Sequence, residues 1–360
     1  MPDATIELRR GMFDAKFHPP LIRAGDRNAL QAALFRYSSG IEAVTLSNHH
    51  GHVTLLPFLG GMVWEAIFEG VSIGMQSRFE EPQLVADVRE TYGGLFYHAG
   101  LQRIGSHVEN PYHGEAPLAQ IEQAQLQLGR DERGPYLRYS GFRSTKRAFG
   151  QYLTSSPSVT LYADSPIFEV KMTVTNRSDR PIGLAYMAHA TFAFVPEAVI
   201  IQPAPFDAEH VRVRIEVPNH IEPTREYTER LMTLESAPAQ TRILDPQAYK
   251  PEQVFYLDGL REDEAGWTHL GLLRPGPGDG FGLSYRQQDF PFLTRWVLND
   301  TFEKVCAFAL PSTCEGAGYA AEPNDQMLHL NPRQTLQFPI RLGYLDPLAM
   351  AELERSVASS

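Results

Sequence analysis

Short apolar runs, broken by glycine, proline and polar turns, recur along nearly the whole chain. Residues 53–56 and 62–68 are two such runs, separated by Pro57, Gly60 and Gly61. Residues 126–128 and 137–139 flank Asp131-Glu132-Arg133-Gly134, which reads as a hairpin loop. Residues 158–163 and 167–174 alternate apolar and polar positions around the turn Asp164-Ser165-Pro166. In the second of them Phe168, Val170, Met172 and Val174 share one face, the period-2 pattern of a half-buried antiparallel strand. Further strands are expected over 182–194, 211–217, 253–257, 269–273, 282–285, 294–298, 305–310 and 335–342, with 275–280 as a hairpin. Helical patterning is sparse. It suggests helices over 27–35 and 348–357, the latter capped by Asp346, and one or two turns over 83–91 and 118–124.

This pattern predicts an all-β fold: a large antiparallel β-sandwich with few short helices. No blade-length repeat supports a propeller. The whole chain, 1–360, reads as a single domain, with the first 35 or so residues peripheral and a C-terminal helix over 346–358. The 28 glycines and 27 prolines suit many strands joined by turns better than long helices.

Charge and cysteine content narrow the function. The formal net charge of −11 argues against nucleic-acid or anionic-membrane partners, which need a basic footprint. Two cysteines, Cys306 and Cys314, build neither a disulfide framework nor a Cys-rich zinc module. They could form a redox pair beside a site, but read more simply as two reduced thiols. The N-terminus shows no signal-peptide pattern, and no apolar run approaches the ~20 residues that span a bilayer. A cytoplasmic location is expected.

Histidines carry most of the candidate chemistry. His49, His50 and His52 have the composition of a metal tract, yet they read more simply as a polar turn before the strand at Val53. The Gly/Pro-rich stretch 93–123 gathers His98, Arg103, His107, His113, Glu115 and Glu122 on loops and short strands. His189 sits in a predicted strand between Ala188 and Ala190.

The order of these pieces resembles the aldose 1-epimerase (galactose mutarotase-like) superfamily, and within it the mutarotase-like bacterial branch. Gly100-Leu101-Gln102-Arg103-Ile104-Gly105 precedes Tyr112-His113-Gly114. A Val-Thr-Asn-x-x-Asp-x-Pro strand at 174–181 leads to His189-Ala190-Thr191-Phe192. Thr294-Arg295-Trp296 then precedes a strand ending in Pro311-Ser312-Thr313. The resemblance runs from about residue 35 to about residue 345. It implies a sugar cleft in which a pyranose ring is opened and reclosed by acid/base catalysis. His189 would be the general acid and His113 would hold the ring oxygen or a neighbouring hydroxyl. Arg103 and Asp258 would bind the sugar's hydroxyls. Beyond the resemblance, His98, Glu115 and Trp296 are further candidates for sugar contact, Trp296 reading equally well as a stacking face or as core packing.

The sequence departs from the family where the general base is expected. A Glu should end the late strand before Pro; here Leu310 stands there. Glu315 would then serve as a relocated base, with Glu322 as a second option. Glu115 follows the His-Gly pair where closer relatives tend to carry Arg. Three readings follow: an anomer-interconverting isomerase without cofactor; a sugar isomerase or lyase using a divalent metal held by His98, His113, Glu122 and His189; or a non-catalytic sugar-binding protein. In each the partner is a small-molecule sugar. Assembly stays open, a homodimer among the options.

Overall fold

The computed structural model describes residues 3–14, 22–24, 30–105, 113–218, 221–315 and 326–359. Among them, the first half of the chain forms strands β1 (Ala4–Leu8), β2 (Ile22–Ala24), β3 (Leu30–Arg36), β4 (Glu42–Ser47), β5 (Gly51–Leu56), β6 (Met62–Phe68), β7 (Val71–Ser72), β8 (Phe96–Leu101), β9 (Gln123–Asp131), β10 (Gly134–Lys146), β11 (Tyr152–Tyr162) and β12 (Ile167–Asn176). The second half adds β13 (Ile182–Ala190), β14 (Phe192–Ala193), β15 (Val199–Ile201), β16 (Val211–Val213), helix α1 (Arg225–Ser236), β17 (Gln253–Leu257), β18 (Thr268–Leu273), β19 (Gly280–Tyr285), β20 (Phe292–Asn299), β21 (Lys304–Ser312), β22 (Leu328–Leu330), β23 (Thr335–Leu345) and helix α2 (Pro347–Ser359).

Two antiparallel sheets result. The smaller runs β1-β9-β10-β11-β12-β23-β19-β18-β15, and the larger runs β16-β17-β20-β21-β13-β8-β6-β5-β4-β3-β2 with β7, β14 and β22 alongside. Alternation decides which side chains meet. In β12, Phe168, Val170, Met172 and Val174 are buried while their neighbours are half-buried. The main core joins inward residues of both sheets, among them Leu126, Val170 and Leu342 from one and Val63, Phe96 and Ala188 from the other. A second apolar cluster covers the outer face of the larger sheet and includes Trp64, Tyr97, Met187, Ala307 and Leu310. This outer layer positions the candidate site.

Most expected strands and hairpins are present. Leu137 pairs with Leu128 and Tyr139 with Leu126, as the hairpin reading requires. The hairpin at 275–280 joins β18 to β19. The C-terminal helix is capped as expected, Ala349 N–H donating to Asp346 Oδ1 at 2.8 Å. His49, His50 and His52 occupy the turn and strand start between β4 and β5, facing Asp164, Glu69 and Glu65 respectively. No helix among the described residues is long and apolar enough to cross a membrane.

Three expectations are corrected. The helix expected over 27–35 is strand β3 where it is described. Leu30, Ala32 and Leu34 are buried with half-buried residues between them, a period of two that Leu30 and Leu34 alone had disguised as helical spacing. Segment 118–124 forms no helix, because its backbone pairs with the chain beside Gly60: Gly60 N–H donates to Ala119 O at 2.7 Å and Ile121 N–H to Phe58 O at 3.3 Å. The strand expected over 211–217 stops at Val213. The N-terminal segment, where it is described, supplies edge strands of both sheets and buries Leu8, Phe13, Leu30 and Leu34. Helix α1 was not anticipated. Thr224 caps it by accepting from Tyr227 N–H, and only Tyr227, Leu231 and Leu234 are buried on an otherwise charged surface.

Candidate functional site

Strand register alone brings together a transverse row of side chains on the outer face. Tyr97 on β8 is paired with His189 on β13. Met187 is paired with Ser312, and the antiparallel count from there sets Leu310 beside His189. Leu310 on β21 is paired with Thr294 on β20, Thr294 with Tyr256 on β17, and Tyr256 with Arg212 on β16. Residues one position away point inward. His98 faces the core beside Ala188, and Arg295 is buried between the sheets, its Nε donating to Phe308 O at 3.4 Å and its Nη2 to Gln202 Oε1.

His189 is the centre of the row. Only 3% of it is exposed. Its ring stacks on Tyr97 with centroids 4.4 Å apart and planes 14° from parallel. The rings of His113, Trp296 and Tyr92 approach edgewise at 4.9, 6.0 and 6.2 Å. Tyr97 Oη donates to Tyr92 Oη at 2.7 Å, and Tyr92 Oη lies 3.4 Å from His189 Nε2. His189 Nδ1 has no hydrogen-bond partner among the described residues. Burial, then the neighbouring His113, hold its pKa well below the ordinary histidine value. The imidazole is therefore neutral near neutral pH, with one N–H and one lone-pair nitrogen.

His113 enters from the loop after β8. Its φ of 57° is left-handed, a conformation most side chains avoid. Two contacts over-determine it: Gly100 N–H donates to His113 O at 2.7 Å, and Gly105 N–H donates to His113 Nδ1 at 3.1 Å. Gly114 must be glycine, because a Cβ there would stand 2.9 Å from Arg103 O at a φ of +72°. Since Nδ1 accepts, the ring proton sits on Nε2, and His113 offers an N–H donor beside His189.

On the other flank, Trp296 is half-buried and its Nε1–H donates to Glu252 Oε2 at 2.7 Å. Arg214 Nη2 donates to the second Glu252 oxygen at 3.0 Å. Tyr256 is next in the row. Burial raises its pKa, and the charges of Glu216 and Glu315 add to that rise against Arg214. Glu315 therefore stands close enough to Tyr256 to act on it electrostatically.

The expected residues divide accordingly. His189, His113 and Trp296 meet, and Leu310, 2% exposed, lies beside His189 with no carboxylate in its place. Asp258 is exposed beyond the end of β17, where it pairs with Arg212 at 3.1 Å. Glu115 is exposed between Arg143 and Arg147 and lines a shallow cavity of about 220 Å³ next to Gly114. Arg103 lies half-buried in the turn after β8, its backbone against Gly100 and Gly114. His98 is separated from the row by the sheet itself. It is fully buried, its Nδ1 bonded to Tyr186 Oη at 2.8 Å, and burial holds its pKa at about 3. Glu322, His107 and Tyr112 lie outside the described residues.

The metal set His98, His113, Glu122 and His189 does not converge. His98 faces the opposite side of the sheet, and Glu122 is a surface residue accepting from Ser144 N–H. Among the described residues, no three His, Cys, Asp or Glu side chains group as metal ligands. Cys306 lies in the inner core and Cys314 in the outer cluster, both free and buried, so they do not form a pair. Tyr92, Tyr97, Glu252, Arg214 and Tyr256 were not singled out from the sequence.

Residues 38–343 match the family profile described as "Domain of unknown function (DUF4432)". No curated protein matches the chain. Among solved structures, a candidate aldose 1-epimerase from Klebsiella pneumoniae superposes with a TM-score of 0.75 at 16% identity, covering 99% of this chain and 91% of that one. A galactose mutarotase-like protein from Clostridium acetobutylicum gives 0.56 at 14% identity over 88% and 99%. A galactose mutarotase related enzyme from Lactobacillus acidophilus gives 0.55 at 14% over 85% and 98%. The fold is thus the galactose mutarotase-like sandwich.

Proposed function

The chain belongs to the DUF4432 family, and from its mutarotase-like fold and the side chains gathered around His189 we propose that it binds a free aldose on the outer face of its larger sheet and interconverts the sugar's anomers. The observation that carries this reading is the meeting of His113 and His189, edge to face at 4.9 Å, beneath Trp296 and Tyr92. One imidazole is neutral and carries a lone-pair nitrogen; the other presents an N–H donor. Ring opening needs both: a group that takes the anomeric proton and a donor at the ring oxygen. His189 then starts as acceptor rather than acid, the reverse of the role implied by the resemblance. Indole and phenol faces suit the apolar CH surface of a pyranose. Glu252, Glu315 and Arg103 are the groups we assign to its hydroxyls. The chain's negative balance fits a neutral sugar better than a phosphorylated one.

Saturation-transfer NMR on a panel of aldoses tests this directly. Faster exchange between anomers than in buffer, lost in His189→Ala, is expected. No acceleration for any sugar overturns the reading.

Leu310 favours a second reading, sugar binding without turnover. It predicts a calorimetric binding signal for a sugar whose anomers exchange no faster than in buffer.

A further inference from the structure

Leu310 leaves the row without a carboxylate beside His189, yet a hydrogen-bond chain ends on that imidazole. Tyr97 Oη gives its proton to Tyr92 Oη at 2.7 Å. Tyr92 Oη in turn lies 3.4 Å from His189 Nε2, a contact in which the tautomer of the imidazole decides which atom donates. A relay through this contact requires Tyr92 to donate, with Nε2 as the lone-pair nitrogen and the ring proton on Nδ1, the atom with no hydrogen-bond partner among the described residues. Tyr92, like Trp296, is half-buried, whereas Tyr97 and His189 are buried, so within the Tyr97–Tyr92–His189 chain Tyr92 is the member open to a ligand arriving over this face. Its position is fixed by the short 3-10 helix Val88–Thr91, capped by Asp87, and by Ser77 Oγ donating to Tyr92 O at 2.6 Å.

We propose that Tyr92 is a catalytic residue that carries the proton between the sugar's anomeric oxygen and His189, standing in for the absent carboxylate, with Tyr97 as its positioning residue. This rests on the anomer-interconverting reading above. The anomeric hydroxyl gives its proton to Tyr92 Oη as Tyr92 passes its own to His189 Nε2. The freed electron pair forms the C1=O bond, C1–O5 breaks, and its pair goes to O5. O5 is held by His113 Nε2–H and receives one proton back from the imidazolium through the Tyr92 hydroxyl. No net proton is consumed. Reclosure on the other carbonyl face runs the same transfers in reverse. Tyr97 donates to the Tyr92 oxygen and so stabilises the phenolate character that develops on it.

Two measurements test the proposal. In the first, Tyr92→Phe is expected to lower kcat for anomer exchange by about a hundredfold or more with little change in KM. Tyr97→Phe, which keeps Tyr92, is expected to lower it less and to move the pH profile to higher pH. A wild-type rate in Tyr92→Phe overturns the proposal. The second needs no turnover: 15N NMR of His189 without sugar. Nε2 is expected as a hydrogen-bonded lone-pair nitrogen whose resonance moves toward the free value in Tyr92→Phe and part of the way in Tyr97→Phe. A protonated Nε2 at neutral pH, or a resonance that neither variant moves, overturns the relay. Should the wild type itself fail to accelerate exchange, the functional reading falls, and the 15N result still decides the Tyr92–His189 link.

Discussion

The imidazole of His189 lies flat on the ring of Tyr97, 4.4 Å away and 14° from parallel. Tyr97 covers one face of the imidazole, and His113 presses against its edge. Water is displaced from the group whose charged form would need it most. The stack therefore ties the protonation state of His189 to a phenol ring on the neighbouring strand. Replacing Tyr97 with Ala is expected to raise the His189 pKa toward the ordinary value of about 6.5, read from its ring resonances across a pH titration. An unchanged midpoint would place the cause elsewhere.

His189→Ala is expected to lower anomer exchange by roughly a hundredfold to ten-thousandfold, the usual worth of a positioned acid or base. Sugar affinity by calorimetry should change little. Equal losses in binding and rate would instead make His189 a binding group.

His98 gives a prediction about stability. Burial holds its folded pKa at about 3, below the unfolded value of about 6.5. Below pH ~6.5 the unfolded chain takes up a proton that the folded chain refuses. The stability linked to this group is thus complete above pH ~6.5 and is lost as pH falls toward ~3. The melting temperature should decline across that window. His98→Gln, which can still bond Tyr186 Oη but does not titrate, should flatten the decline.

Glu252 accepts from Trp296 Nε1 and from Arg214, so its two partners share one carboxylate. A double-mutant cycle with Trp296→Phe and Glu252→Gln, followed by urea unfolding, should give a coupling of about 1–3 kcal/mol, the range for a hydrogen bond to a charged group. A coupling near zero would mean that water replaces the indole without cost.

Both cysteine thiols are pushed up to about 12 by burial. Neither is expected to react with iodoacetamide in the folded protein near pH 8, and both should react once urea unfolds the chain. Early labelling of one cysteine would show local opening of its end of β21.

Much of the sandwich was legible because alternation is a local signal. Phe168, Val170, Met172 and Val174 declare a face by themselves. β3 was misread because Leu30 and Leu34 fit both a helix and a strand, and the buried Ala32 between them carries little hydrophobic weight. Helix α1 was missed because its buried stripe is only Tyr227, Leu231 and Leu234 among charged neighbours, although that spacing and the Thr224 cap were there to be read. At the site, motif order pointed to His113, His189 and Leu310. Tyr92, Tyr97, Glu252 and Tyr256 belong to no motif. They join the site through strand register and long-range contacts, which a single sequence does not display. His98 was misplaced for the same reason, since one step along β8 exchanges cleft for core.

The transverse row also bears on how the site comes to be assembled. Its members stand on strands far apart in the chain, from Tyr97 to Leu310, with Arg212 reached only by way of Tyr256. Contacts of such sequence separation form late and slowly. The row exists only once β8, β13, β21, β20, β17 and β16 are all closed in one alignment. A slip of one residue in β8 would present His98 in place of Tyr97, and a slip in β20 would present Arg295 in place of Thr294. The side chains of the row would then come together all at once, only after β21 has been made, with no half-built form of the site along the way.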